Sequence, residues 1–151
     1  MNRKETTKFL GELLISQRFH RKIYASEVSL DYGTVNVKRV DFMEFEPAGV
    51  VFQSDIEKGI FSCYEVKSCK EDVYSGNGLN FVGEKNYIVT TMQCYKDIQE
   101  DLRNGRLHNH IKNCNPESSP YFGIIVPVPE YVDAMSEFEN RSQFDRSCTW
   151  K

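Results

Sequence analysis

One stretch constrains this chain more than any other: Phe61-Ser62-Cys63-Tyr64-Glu65-Val66-Lys67-Ser68. It is a run of strand-forming residues that carries a carboxylate and an amine two positions apart. Alternate side chains of a strand share a face, so Glu65 and Lys67 point one way while Val66 points the other, into a core. A second strand is predicted over residues 34–45, with apolar residues on both faces around Asp41, as expected of a central strand. Charged groups on central strands cost free energy unless something uses them. Asp41, Glu65 and Lys67 therefore form the leading candidate site. The bland alternative is that Glu65 and Lys67 are a surface pair on an edge strand.

The rest of the chain arranges itself around these strands. Thr6 or Thr7 can cap a helix in which Phe9, Leu10, Leu13 and Leu14 recur at helical spacing, running to about Tyr24. Glu27 to Leu30 alternates as a first strand, followed by a turn at Asp31-Tyr32-Gly33. Pro47 and Gly49 end the second strand, and Val50-Val51-Phe52 reads as a short strand of an excursion. Residues 60–67 form the third main strand. Residues 69–86 read as a loop with Gly76, Gly78 and Gly83 and little apolar content. Tyr87-Ile88-Val89 is a further strand, and Thr91 caps a helix with Tyr95, Ile98 and Leu102 on one face. Residues 107–120 read as a polar loop. Residues 121–126 form a last strand, stopped by Pro127 and Pro129, and a helix is expected from Tyr131 to about Phe144. No repeat or linker divides the chain, so a single domain over residues 1–151 is expected.

Composition narrows the class. At 151 residues with 40% apolar and 27% charged side chains, the chain has the make-up of one globular domain. No apolar run reaches membrane-spanning length. Glu12 interrupts the short apolar run behind the basic N-terminus and no small-residue cleavage site follows, which reads as no signal peptide. Five scattered cysteines without CxxC spacing suit reduced thiols in a cytoplasmic protein. The net charge of −3 weighs against a nucleic-acid binder, since phosphate neutralisation supplies much of such affinity. Clustered cations at residues 18–22, 38–39, 67–70 and 103–112 weaken that objection.

Asp41 followed by Glu65-x-Lys67 resembles the signature of the PD-(D/E)xK nuclease superfamily. The flanking text resembles small phage and bacterial members: Arg-Val-Asp-Phe, then Tyr-Glu-Val-Lys-Ser-Cys-Lys-Glu-Asp, then Asn80-Phe81-x-Gly83-Glu84-Lys85-Asn86-Tyr87. The matching stretch covers residues 27–89, and Val40 stands where the family usually has proline. The resemblance implies an α+β (α/β) fold of restriction-endonuclease type, a central mixed β-sheet flanked by helices in the order α-β-β-β-(β)-α-β-α. It implies a metal-dependent nuclease that hydrolyses DNA phosphodiester bonds, encoded by a phage or mobile element and acting in the bacterial cytoplasm. Asp41 and Glu65, with the backbone carbonyl of Val66, would hold Mg²⁺, with Mn²⁺ as an alternative; such hard oxygen donors suit that ion. Lys67 would orient water or stabilise the transition state. Family members add an acid near the first helix, and here Glu27 is preferred to Glu12. Lys70, Lys85, Asn80 and Tyr74 are the candidate nucleic-acid contacts. The competing expectation is an inert protein of the same fold that binds nucleic acid or a protein partner, such as a phage inhibitor or assembly factor. A homodimer is also compatible with the sequence.

Two other features are weaker. The glycines of residues 76–83 precede a strand instead of opening a helix, so they are no dinucleotide fingerprint. His108, His110 and Cys114 offer three zinc-type ligands where a structural site closes with four, and a solvated loop is the plainer reading. Trp150 can either pack on the core or mark a contact.

Overall fold

The computed structural model describes residues 1–129 and 148–150. The first helix, α1 (Arg3–Leu13), is capped by Asn2. Asn2 Oδ1 accepts the Glu5 amide and Glu5 Oε2 accepts the Asn2 amide, each at 2.9 Å, a reciprocal box that satisfies two end donors. The cap thus lies upstream of the expected Thr6 or Thr7, whose hydroxyls bond back to the carbonyls of Asn2 and Arg3. A single π-helical turn, Leu14–Arg18, follows and ends where the Phe19 amide donates to Leu14 O at 2.9 Å. Phe19 is buried there, its ring stacked on Tyr24 at 4.9 Å and edge-on to Tyr64 at 5.0 Å. The helix therefore stops short of the expected Tyr24, which lies in the first strand.

Five strands form one mixed sheet in the order β1-β2-β3-β4-β5. The strands β1 (Ile23–Leu30), β2 (Lys38–Pro47) and β3 (Gly59–Lys67) make an antiparallel meander. Both β4 (Lys85–Thr90) and β5 (Gly123–Ile125) run parallel to β3. The chain is α+β with helices on both sides of this sheet. The helices are short α2 (Gln53–Glu57) and α3 (Lys70–Val73), then α4 (Met92–Arg103) and α5 (Arg106–Cys114). A separate antiparallel pair joins β6 (Pro127–Pro129) to β7 (Cys148–Trp150), which places the Trp150 backbone opposite Pro127. The helix expected over residues 131–144 lies outside the described residues.

Alternation along the strands sends side chains to two cores. Tyr64, Val66, Val89 and Ile125 pack on one face with Leu10, Leu14 and Phe19. Ile88 packs on the other face with Ile98 of α4 and with Leu107 and Ile111 of α5. Val73, Leu79 and Phe81 are buried in that second core. Residues 69–86, expected to be a loop with little apolar content, open with the helix α3 and are anchored by three core side chains.

Two other expectations change. Val50-Val51-Phe52 is not a strand, because Pro47 and Gly59 already close the β2–β3 pairing and the residues between them lie past its end. Residues 106–114 are helical where a polar loop was expected. Leu107 and Ile111, four residues apart, bury the inner face of this helix, and Gly105, at φ +78°, makes the left-handed link from α4. Elsewhere the expected cap holds, with Thr91 Oγ1 accepting the Cys94 amide at 3.1 Å at the start of α4.

Candidate active site

The β2–β3 ladder runs from Pro47↔Gly59 to Phe42↔Tyr64 and stops there. One residue further on, Asp41 Oδ2 accepts the Val66 amide at 2.8 Å. A side-chain oxygen thus replaces the next main-chain acceptor, and the two strands part around it. Glu65 and Lys67 lie on the same face of β3, beside Ile88 and Thr90 of β4. The end of β3 is held to β4 where Thr90 Oγ1 donates to Lys67 O at 2.6 Å. Where the strands part, a cleft of about 530 Å³ brings Asp41, Glu65 and Lys67 together.

The electrostatics of this cleft are unusual. Glu65 is 2% exposed, and its Oε1 has no hydrogen-bond partner. Burial pushes its carboxyl up to about 8, and the neighbouring Asp41 charge adds to the rise; Lys67 and the Asn80 main-chain amide offset part of it. Lys67 is buried as well, its Nζ donating to Asn77 O at 2.7 Å and lying 3.9 Å from Asp72 Oδ1. Burial would also raise Asp72, but the Ser68 amide and the Lys67 charge outweigh it and hold the group below the usual range. The Ser68 amide and hydroxyl both donate to Asp72 Oδ2 at 3.0 Å, and Arg3 of α1 pairs with Oδ1 at 3.2 Å. Asp72 thereby links α1, α3 and the end of β3.

A loop passes close to Glu65 and Lys67. A Cβ on Gly78 would stand 2.9 Å from Glu65 Oε2 and 3.4 Å from Lys67 Nζ, and its φ of +71° is one that glycine adopts freely. Asn115, just past α5, donates to Gly78 O at 3.1 Å, while Asn80 Nδ2 donates to Arg39 O at 2.9 Å. Leu79 and Phe81 flank Asn80 with positive φ of 53° and 47°, strained values for side chains of their size. Their burial at 3% and 1% exposure holds them there.

The other expected site residues divide. Asn80 and Val66 line the cleft. Glu27, expected to open the first strand, sits inside β1 at φ +52°, where the β1–β2 pairing skips a step. It is exposed, pairs with Arg39 Nη2 at 2.6 Å and does not line the cleft. Glu12 is exposed on α1 and pairs with Lys8 at 3.8 Å. Lys70 reaches Asp101 and the Asp97 carbonyl, both at 3.0 Å, on α4. Lys85 pairs with Ser62, five residues or roughly 16 Å along the strands from Lys67↔Thr90, so it does not enter the sheet at the site. Tyr74 donates to Asp101 Oδ2 at 2.7 Å and packs on His110, which makes it part of the scaffold. His110 lies 3.7 Å from Cys114 while His108 packs on Phe122, so the three do not converge. Thr7, Asp72, Asn77, Gly78 and Asn115 line the cleft without having been expected there. Of these only Gly78 carried a sequence signal, as a glycine close behind the charged strand.

The donor set suits a hard divalent cation. Asp41 and Glu65 are paired carboxylates, and the unpartnered, buried Oε1 of Glu65 is a lone pair without a protein use. Among the described residues no third His, Cys, Asp or Glu completes a cluster. Remaining ligands would therefore be backbone, water or substrate oxygens, as is common for Mg²⁺. No helix among these residues is long and apolar enough to cross a membrane. No family model, curated protein or solved structure matches the chain.

Proposed function

We propose that this protein is a metal-dependent nuclease of PD-(D/E)xK type, with the restriction-endonuclease-like fold, that hydrolyses DNA phosphodiester bonds. The observation that carries the reading is the convergence of Asp41, buried Glu65 with its unpartnered oxygen, and buried Lys67 in one cleft at the point where β2 and β3 part. Buried charge of this kind costs several kcal/mol and persists where chemistry uses it. Asp41 and Glu65 would hold Mg²⁺ or Mn²⁺. When bound, such an ion supplies a water of lowered pKa and neutralises charge growing on the phosphate.

The chain's own groups have distinct tasks. The Val66 amide fixes Asp41 in place. Burial holds the Glu65 carboxyl up at about 8, and a bound cation would favour its ionised form as a ligand. Lys67, aimed by the Asn77 carbonyl, sets an ammonium beside the position of the scissile phosphate.

A second reading, an inert protein of the same fold that binds nucleic acid or a protein, draws on the cations of the mouth. Lys38 pairs with Glu117, Arg39 with Glu27 and Arg3 with Asp72, which leaves these cations already engaged. The test is cleavage of plasmid and single-stranded DNA with Mg²⁺ or Mn²⁺, wild type beside Lys67→Ala. Metal-dependent cutting that Lys67→Ala abolishes, with DNA binding retained, supports the nuclease. Purified wild type that binds but cuts nothing with either metal transfers the case to the inert reading.

A further inference from the structure

The geometry points to single-stranded DNA, not an intact duplex, as the substrate of this cleft, an inference that rests on the nuclease reading. The reason is the bridge close to Glu65 and Lys67. Gly78 comes so close to the site that a Cβ there would stand 2.9 Å from Glu65 Oε2 and 3.4 Å from Lys67 Nζ. The segment that carries it is tied to α5 through Asn115 and to β2 through Asn80. Leu79 and Phe81 pin the same segment into the core beneath α4 and α5. Thr7 of α1 lines the cleft as well. The catalytic groups thus sit in a slot between α1 and a fixed roof, and about 530 Å³ is the scale of a small-ligand pocket.

A duplex presents each phosphate on a stiff rod, with the partner strand alongside, and does not bend within a few base pairs. It could reach Glu65 only if the bridge were displaced. A single strand is flexible and threads beside such a wall one phosphate at a time. The lining fits that use. Lys38 and Arg39 line the cleft in surface ion pairs with Glu117 and Glu27, weak pairs that a phosphate can displace, and Asn77 and Asn115 offer polar groups to sugar and phosphate. Among the described residues no aromatic ring lines the cleft, so these residues would hold the strand by its backbone instead of by stacked bases.

The experiment compares three substrates of one sequence with Mg²⁺ or Mn²⁺: a single-stranded oligonucleotide, its blunt duplex, and a duplex with a central unpaired bubble. Opening base pairs costs a few kcal/mol, so the single strand should be cut about 30-fold faster than the duplex, and the bubbled duplex should be cut within its bubble. Asn115→Ala and Asn80→Ala, each checked for folding by circular dichroism, loosen the roof and should shrink that ratio. A blunt duplex cut as fast as the single strand overturns the inference and leaves the nuclease reading standing. A ratio unchanged in both folded variants overturns it too. Failure to cut any substrate removes the nuclease reading and the inference together.

Discussion

Two glutamates are buried in neighbouring strands of one sheet, and their surroundings could hardly differ more. Glu44 of β2 faces α1 and is 5% exposed. It accepts the Tyr64 hydroxyl at 2.6 Å and pairs with Lys22 at 2.9 Å. Burial pushes its carboxyl up, yet the Tyr64 hydrogen bond and the Lys22 ammonium overcome that push and leave it below the usual range. Glu65 of β3 faces the other side with an oxygen that bonds to nothing, and its carboxyl is pushed up to about 8. The fold satisfies the first acid completely and leaves the second with a lone pair to spare. Burial alone therefore does not distinguish a structural acid from a functional one; the count of satisfied oxygens does.

The largest expected effect breaks the comparison on activity. Glu65→Gln should lower cleavage by about 10³-fold or more, as loss of an electrostatic catalytic group does, whereas Glu44→Gln should stay within a few-fold of wild type. Equal losses in single-turnover rates would mean that the two acids have the same standing. Stability should rank them the other way. Glu44→Ala leaves the buried Tyr64 hydroxyl without its acceptor while half-exposed Lys22 turns to water, and should cost about 2 kcal/mol by urea unfolding at pH 7. Glu65→Gln should cost well under about 1 kcal/mol, because few satisfied bonds are lost. A large loss in the second variant would make Glu65 a member of the scaffold.

Dependence on pH sharpens the contrast, because the signs are opposite. Glu65 binds its proton more tightly folded than unfolded. Its contribution to stability is full below its ordinary value of 4.5 and is lost as pH rises towards about 8. That loss should reach about 3–4 kcal/mol between pH 5 and pH 8 without metal, and Glu65→Gln should flatten it. Glu44, held low, contributes above 4.5 and loses that contribution as pH falls below it. Melting curves that show the same alkaline slope in wild type and Glu65→Gln would assign the slope elsewhere. A smaller effect than that of Glu44→Ala belongs to Tyr64→Phe, which removes the hydroxyl's bonds to Glu44 and Arg18 and should cost about 1 kcal/mol with cleavage intact.

What the sequence made legible follows from where the information lies. Period-two alternation put Glu65 and Lys67 on one face, and the apolar surroundings of Asp41 put it on a central strand, so all three reach the same cleft. Lys85 and Glu27 went astray because their places depend on register and on a local left-handed kink, neither of which composition encodes. Asn115 and Thr7 come to the site from helices far away in the chain, brought there by packing alone. The α5 helix escaped notice because two apolar residues suffice to bury its inner face, too few for a periodic signal. The loop of residues 76–81 reads in the sequence as glycines with little apolar content, and its real character lies in two apolar anchors, Leu79 and Phe81, between polar neighbours.

The Asp41–Val66 bond carries a consequence for how such a protein can change over time. Oδ2 of Asp41 serves as a stand-in for a peptide carbonyl where the β2–β3 ladder has ended. An asparagine amide oxygen could take over that acceptor role without the negative charge. A descendant with asparagine at position 41 would keep its sheet, its cleft and its binding surface while giving up one cation ligand. Alanine would instead leave the Val66 amide without its acceptor and unsettle the strand that bears Glu65 and Lys67. For the proposed nuclease, drift to a silent binder thus has a route of one nucleotide change at this position, and the architecture would carry no scar of it.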